Sequence, residues 1–235
     1  NVSGDISIGN DFNKNLRITA DNGDMTFDPT NQYTDYNDLK NYKSISFSLK
    51  DSTISYGGTT LKQGETIKDG KGGTATVDRE NNTITLNNFK GDKALVFNAE
   101  ITPNSITLIG DSTLSAVETK YQSLTISGSG SGSLAAGSIK VHKEKSTSTT
   151  GNTIPNLTIN GATVTVGNAE ITDRAIDIDG DLTVTNGSLT ATSKSDSVPT
   201  VQVGGNASFT GSTVTITNYS TTQGERYKDS YEVSS

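Results

Sequence analysis

A fixed offset of 25 residues relates three stretches of this chain: NLTINGATVTVGN from Asn156, DLTVTNGSLTATS from Asp181 and NASFTGSTVTITN from Asn206. Repetition at one period constrains architecture more than any other sequence feature. Leu157, Leu182 and Ala207 align, as do Ile159, Val184 and Phe209. So do Val164, Leu189 and Val214, then Val166, Ala191 and Ile216. The residues between them are polar: Thr158, Thr183 and Ser208 share one file, and Thr165, Thr190 and Thr215 another. A third alternation follows each copy, at Ile139/Val141, Ile176/Ile178 and Val201/Val203. Looser copies begin at Ser123, Ser105 and Asn82.

Three short strands of period two per repeat leave no room for a crossover helix, since a βαβ unit needs about 30 residues or more. Antiparallel hairpins would not keep equivalent positions at one offset. The economical geometry is a coil in which each repeat makes one turn and successive turns pair in parallel. The expected fold is therefore an all-β, single-stranded parallel β-helix with three short strands per coil. It is taken as right-handed by likeness to the common form. Inward residues should stack in apolar files and outward Thr, Ser and Asn in polar ones. Such solenoids are held by neighbour contacts and need covered ends.

Residues 71–220 are expected to form the coils. Residues 1–70 repeat less well and read as an N-terminal β region that caps them. Strand-like alternations there are Ile6/Ile8, Leu16/Ile18, Met25/Phe27 and Ile45/Phe47/Leu49, and the polar-aromatic stretch 31–42 is a loop or a short helix. Residues 221–235 read as a cap strand or as a linker. The opening residues Asn1-Val2-Ser3-Gly4 are not a signal peptide, so a secretion signal, if used, was removed or lies outside this sequence.

Composition narrows the function classes. Apolar residues are 30% and charged residues 19%, with 24 Gly and abundant Thr, Ser and Asn. That excludes helical bundles and coiled coils, and no run approaches the roughly 18 apolar residues of a membrane span. A formal net charge of -7 argues against nucleic acid as a partner, because a phosphate backbone demands a basic face. Cys is absent and His142 is the single histidine, which excludes disulfides, thiolate metal sites and paired-histidine chemistry.

The segment 69–88, DGKGGTATVDRENNTITLNN, with the LTI-(N/G)G-xxTV copies downstream, resembles secreted and wall-attached proteins of gut Firmicutes. Those proteins are often described as carbohydrate-binding domains on a pectate-lyase-like parallel β-helix. The resemblance spans roughly residues 52–217. It implies an extracellular or cell-wall-attached, non-enzymatic role, and it transfers no catalytic residue.

The densest acidic group is Asp173, Asp177, Asp179 and Asp181. With Ile176 and Ile178 inward, Asp177 and Asp179 share an outer face about 7 Å apart. Asp177, Asp179 and Asp181 are candidate calcium ligands, as hard oxygen donors, with Gln202 and Asn206 one repeat further on. The competing reading pairs Asp177 and Asp179 across strands with Lys140 and His142. Tyr33, Tyr36 and Tyr42 are candidate platforms for stacking a sugar ring; the competing role is packing against the solenoid or its cap. Two loops stand out, 141–156 and the Gly/Ser run 127–133.

The expected function is non-catalytic binding of a polysaccharide or cell-surface glycan by a monomer within a larger surface protein. Calcium is the one cofactor these residues suggest. The alternatives are a structural spacer or adhesin stalk and, further off, a polysaccharide lyase or hydrolase. A lyase should show Arg or Lys beside at least three acids on one strand file, and only Arg174 neighbours an acidic cluster.

Overall fold

A computed structural model describes residues 53–99, 103–128, 132–144 and 154–220 with their side chains, and the backbone of Leu16–Asp21, Thr26–Phe27, Ser44–Leu49 and Tyr231–Ser234. The chain divides into two compact units, Asn1–Asp51 and Ser52–Ser235. In the first, Leu16–Asp21 is the middle strand of a three-stranded sheet, antiparallel to both Thr26–Phe27 and Ser44–Leu49. Three of the expected strand segments thus form; Ile6/Ile8 and the stretch 31–42 lie outside the described residues.

The second unit is a β-solenoid of about five turns, and every element among its described residues is a strand. Its wall has three sheets. Sheet I is eight-stranded, and its parallel part runs from Thr83–Asn87 through Asn104–Ile109, Leu124–Gly128, Leu157–Asn160 and Leu182–Thr185 to Ala207–Thr210. Sheet II, six-stranded, is parallel from Asp111–Leu114 to Thr213–Asn218. Sheet III, seven-stranded, is parallel from Ala94–Asn98 to Val201–Val203.

Register follows the repeat. Ile84, Ile106, Ile126, Ile159, Val184 and Phe209 are consecutive partners across sheet I. Leu134, Val164, Leu189 and Val214 do the same in sheet II. Leu95, Val117, Ile139, Ile176 and Val201 do so in sheet III. These files meet in one core in which Ile106, Ile126, Ile159, Val184 and Leu189 are fully buried. β-Branched side chains suit the positions, because they stack on a pleated surface with one stiff rotamer. Each is worth roughly 1.5–3 kcal/mol on burial. At the last described coil, Val201, Val203 and Phe209 are only partly buried against that core.

The corners are fixed by polar side chains that reach one coil along. Ser123 Oγ accepts from the Asn156 N–H at 2.9 Å, Asn156 Oδ1 from Asp181 at 2.8 Å, and Asp181 Oδ1 from Asn206 at 2.7 Å. One residue further on, in the file that Leu124, Leu157 and Leu182 fill, the coils nearer the N-terminus carry inward amides. Fully buried Asn82 donates from Nδ2 to Oδ1 of Asn104 at 3.0 Å, and Asn104 donates to the Gln122 carbonyl at 3.2 Å.

Parallel growth stops at antiparallel strands. Thr74–Asp78 and then Thr66–Lys68 extend sheet I, while Thr53–Tyr56 and Thr59–Thr60 extend sheet III. Tyr231–Ser234 pairs antiparallel with Thr213–Asn218. The hairpin turn between Tyr56 and Thr59 is Gly57-Gly58, at φ 58° and 81°. Two successive positive φ values are what a tight I′ hairpin needs, and glycine meets them without strain.

Candidate binding cleft

The sequence candidates divide among different places. Tyr33, Tyr36 and Tyr42 lie outside the described residues, as do most of the 141–156 loop and the centre of the Gly/Ser run. The acids Asp177, Asp179 and Asp181 are described, and each meets protein partners. Asp177 pairs in register with Lys140 on one side and Gln202 on the other. His142 Nε2 lies 3.7 Å from Asp177 Oδ2, and its Nδ1 3.4 Å from Asp179 Oδ1. Arg174 Nη1 is 3.5 Å from Asp177 Oδ2, and Lys140 Nζ is 3.7 Å from Asp173. Asp179 Oδ2 also accepts from the Lys143 N–H at 2.7 Å. Asp181 belongs to the corner ladder and caps Asn206. The repeat therefore brings Asp177 and Asp179 together on one outer face, but against His142 and Arg174, with Asp181 turned to the next corner. Among the described residues no group of three or more His, Cys, Asp or Glu is placed to hold a metal ion.

A concavity of the described surface lies elsewhere, at the antiparallel end of the solenoid. A cleft of about 530 Å³ opens between three loops: the Gly57-Gly58 turn, residues 69–73 and residues 89–93. Tyr56, Leu61, Ile67 and Phe89 form its apolar wall. Phe89 is buried, and Tyr56 meets it edge to face with ring centroids 5.6 Å apart. That geometry places a ring's positive edge on its neighbour's negative face. The Tyr56 hydroxyl accepts from the Asp92 N–H at 3.0 Å and the Lys93 N–H at 3.3 Å, and donates to Asp92 Oδ1 at 3.3 Å. One aromatic side chain thereby ties the 89–93 loop to the first hairpin.

Asp69 organises the opposite loop. Its Oδ2 accepts from the Lys90 N–H at 2.8 Å, and its Oδ1 from Lys71 at 2.7 Å and Gly73 at 2.9 Å. Those main-chain donors, Lys90 foremost, hold its carboxyl below the usual aspartate value. The two loops can meet only because the crossing points are glycine. A Cβ on buried Gly73 would overlap the Asn88 carbonyl oxygen and come within 2.5 Å of Asp69 Oδ2. One on Gly91 would lie 2.6 Å from Phe89 and 2.7 Å from the Tyr56 hydroxyl.

The rim carries Lys68, Lys71, Lys90 and Lys93 beside Glu65, Asp69 and Asp92. Sequence reasoning does not single these residues out, because none belongs to the 25-residue repeat. A signal is present nonetheless: DGKGG at 69–73 and FKGDK at 89–93 are two short Lys-Gly-Asp loops, 20 residues apart, flanking a strand pair.

The chain matches no family model, no curated protein and no solved structure. Among the described residues no helix is long and apolar enough to cross a membrane.

Proposed function

We propose that this chain is a non-catalytic, extracellular or wall-attached module that binds a saccharide in the cleft at the antiparallel end of its solenoid. The observation that carries the reading is the pairing of an aromatic wall, half-buried Tyr56 backed by buried Phe89, with a rim of charged side chains. A sugar ring has an apolar C–H face and a polar edge, and a site for it needs both surfaces at once. The resemblance of segment 69–88 to carbohydrate-binding β-helix proteins supports the same reading, since that segment supplies one of the cleft's loops. A catalytic role is not assigned. The best acid pair at strand spacing, Asp177 and Asp179, faces His142 and Arg174 on a sheet surface.

The test is retention of the chain on a panel of immobilised neutral and acidic oligosaccharides, repeated with Tyr56→Ala. At least one saccharide class should retain the native chain, and Tyr56→Ala should lose it while keeping the β-sheet circular-dichroism signal. Retention of none would remove the binding role and leave the solenoid as a spacer.

A further inference from the structure

Two outer faces of the solenoid differ in kind. On its coils sheet III turns Glu118, Lys120, Lys140, His142 and Asp177 outward, and Lys120 meets Glu144 while His142 meets Asp177. The parallel strands of sheet I carry no charged residue at all, in a chain with 19 Lys and Arg and 26 Asp and Glu. Their outward positions form two straight files. One is Thr83, Ser105, Thr125, Thr158, Thr183 and Ser208, consecutive partners across the sheet. The other runs from Thr85 to Thr210 and bears a hydroxyl at every rung except Asn160. It continues onto the antiparallel strands as Thr76 and Thr66. Strand propensity accounts for threonine. It does not account for the exclusion of charge, since sheet III is built on the same coils. Nor are these hydroxyls occupied by the protein. Thr83 Oγ1 donates to the Asn81 carbonyl at 3.1 Å, and Thr66 and Thr76 share a hydrogen bond of 3.1 Å. From Ser105 to Thr210 the hydroxyls of both files enter none of the hydrogen bonds found among the described residues.

We infer that the outer face of sheet I adsorbs to ice, with its two hydroxyl files laid on the surface of crystalline water. The inference does not rest on the saccharide reading, and none of the residues from Thr83 to Thr210 in these files lines the cleft. Rungs repeat about 4.8 Å apart along the solenoid, and the two files lie about 7 Å apart along the strand. Ice is an uncharged lattice of donors and acceptors that repeats at nearly those two distances across its prism faces. An uncharged face suits it, because a charged side chain keeps its own tightly held water between protein and lattice. Threonine offers a hydroxyl for a lattice position and a methyl for the space beside it. Its branched Cβ restricts χ1, so the array is ordered before it meets a surface and little entropy is lost on contact. The free hydroxyls break no bond within the protein to make these contacts.

The experiment grows ice slowly from a dilute solution of the full chain mixed with an inert globular protein, and measures each in the ice and in the liquid. The native chain should be enriched in the ice while the inert protein stays in the liquid, and it should slow the recrystallisation of fine-grained ice. Thr125→Lys/Thr183→Lys, two ammonium groups on the hydroxyl file, should fall to the level of the inert protein with its β-sheet circular-dichroism signal unchanged. Gln202→Lys, which adds a charge to sheet III, and Tyr56→Ala, in the cleft, should partition into ice as the native chain does. Exclusion of the native chain from ice overturns the inference whatever the variants do, and leaves the saccharide reading standing. Full adsorption by Thr125→Lys/Thr183→Lys, or an equal loss in Gln202→Lys, overturns the assignment to this face. Adsorption to microcrystalline cellulose or chitin with exclusion from ice overturns the assignment to crystalline water.

Discussion

The coils from Asn104 to Asn218 and the antiparallel end from Thr53 to Lys93 belong to one unit and share one core, yet they use charge and glycine in opposite ways. On the coils, each outward side chain has an equivalent one turn away, so charged groups satisfy one another. Acids and bases of adjacent strands pair, as His142 does with Asp177 and Asp179, and corner residues cap the next coil. At the antiparallel end the repeat stops. Polar groups of the loops there close on one another, as around Asp69, although the 89–91 stretch still stacks on the next coil through a parallel bridge from Lys90 to Thr113. Periodicity lets charged groups satisfy one another; its interruption leaves a concave surface with a rim of both charges.

Substitutions separate the two regimes. The largest effect belongs to Val184→Asp, which places a carboxylate in the filled file between Ile159 and Phe209. Urea denaturation should show a loss of at least about 3 kcal/mol, or no folded protein at all. A loss of under 1 kcal/mol would mean that the file is not interior.

Next is Gly73→Ala, which should cost about 1–3 kcal/mol, because the added methyl collides with main chain that cannot rotate away. It should also weaken saccharide binding, since it pushes apart the loops that form the cleft. A variant with native stability and native binding would show that these loops move independently.

Thr119→Val should go the other way. Thr119 sits in an inward file between Phe97 and Val141, 2% exposed, with no hydrogen-bond partner for its hydroxyl. Replacing that hydroxyl with a methyl should stabilise by about 1 kcal/mol. A destabilised variant would indicate that the hydroxyl has a partner.

A smaller effect concerns acid. Asp69 has a folded-state pKa below the ordinary 3.8, so its contribution is present above that value and is lost as pH falls through the folded pKa. Thermal melts should be flat from neutral pH to about 5 and decline below about 4. Asp69→Asn should show a shallower decline; parallel curves would assign the acid sensitivity to other carboxylates. The smallest effect is that of Thr183→Ala on the outer face, within about 0.5 kcal/mol of the native chain. A large effect there would give the hydroxyl file a structural role.

The solenoid was legible in the sequence because period two and period 25 are both written in residue type. Ile159, Val184 and Phe209 announce one file, and the Thr158, Thr183 and Ser208 file announces the opposite face. The pairing of Lys140 and His142 with the acids was legible from the alternation Ile139/Val141 and Ile176/Ile178, which matches the two strands although the 141–156 excursion sets them 37 residues apart. Not legible was the cleft. Tyr56 and Asp92 are 36 residues apart and their meeting obeys no period; nor does that of Asp69 with Lys90.

From sequence alone come the winding of the chain, the inward and outward faces, and the excess of negative charge, because each is a sum or a repetition that survives without coordinates. Only the tertiary structure decided where the cleft lies. Antiparallel hairpins at one end turn three unrelated loops toward each other, and the direction of each carboxylate, toward its own main chain or toward open solvent, depends on contacts that no spacing encodes.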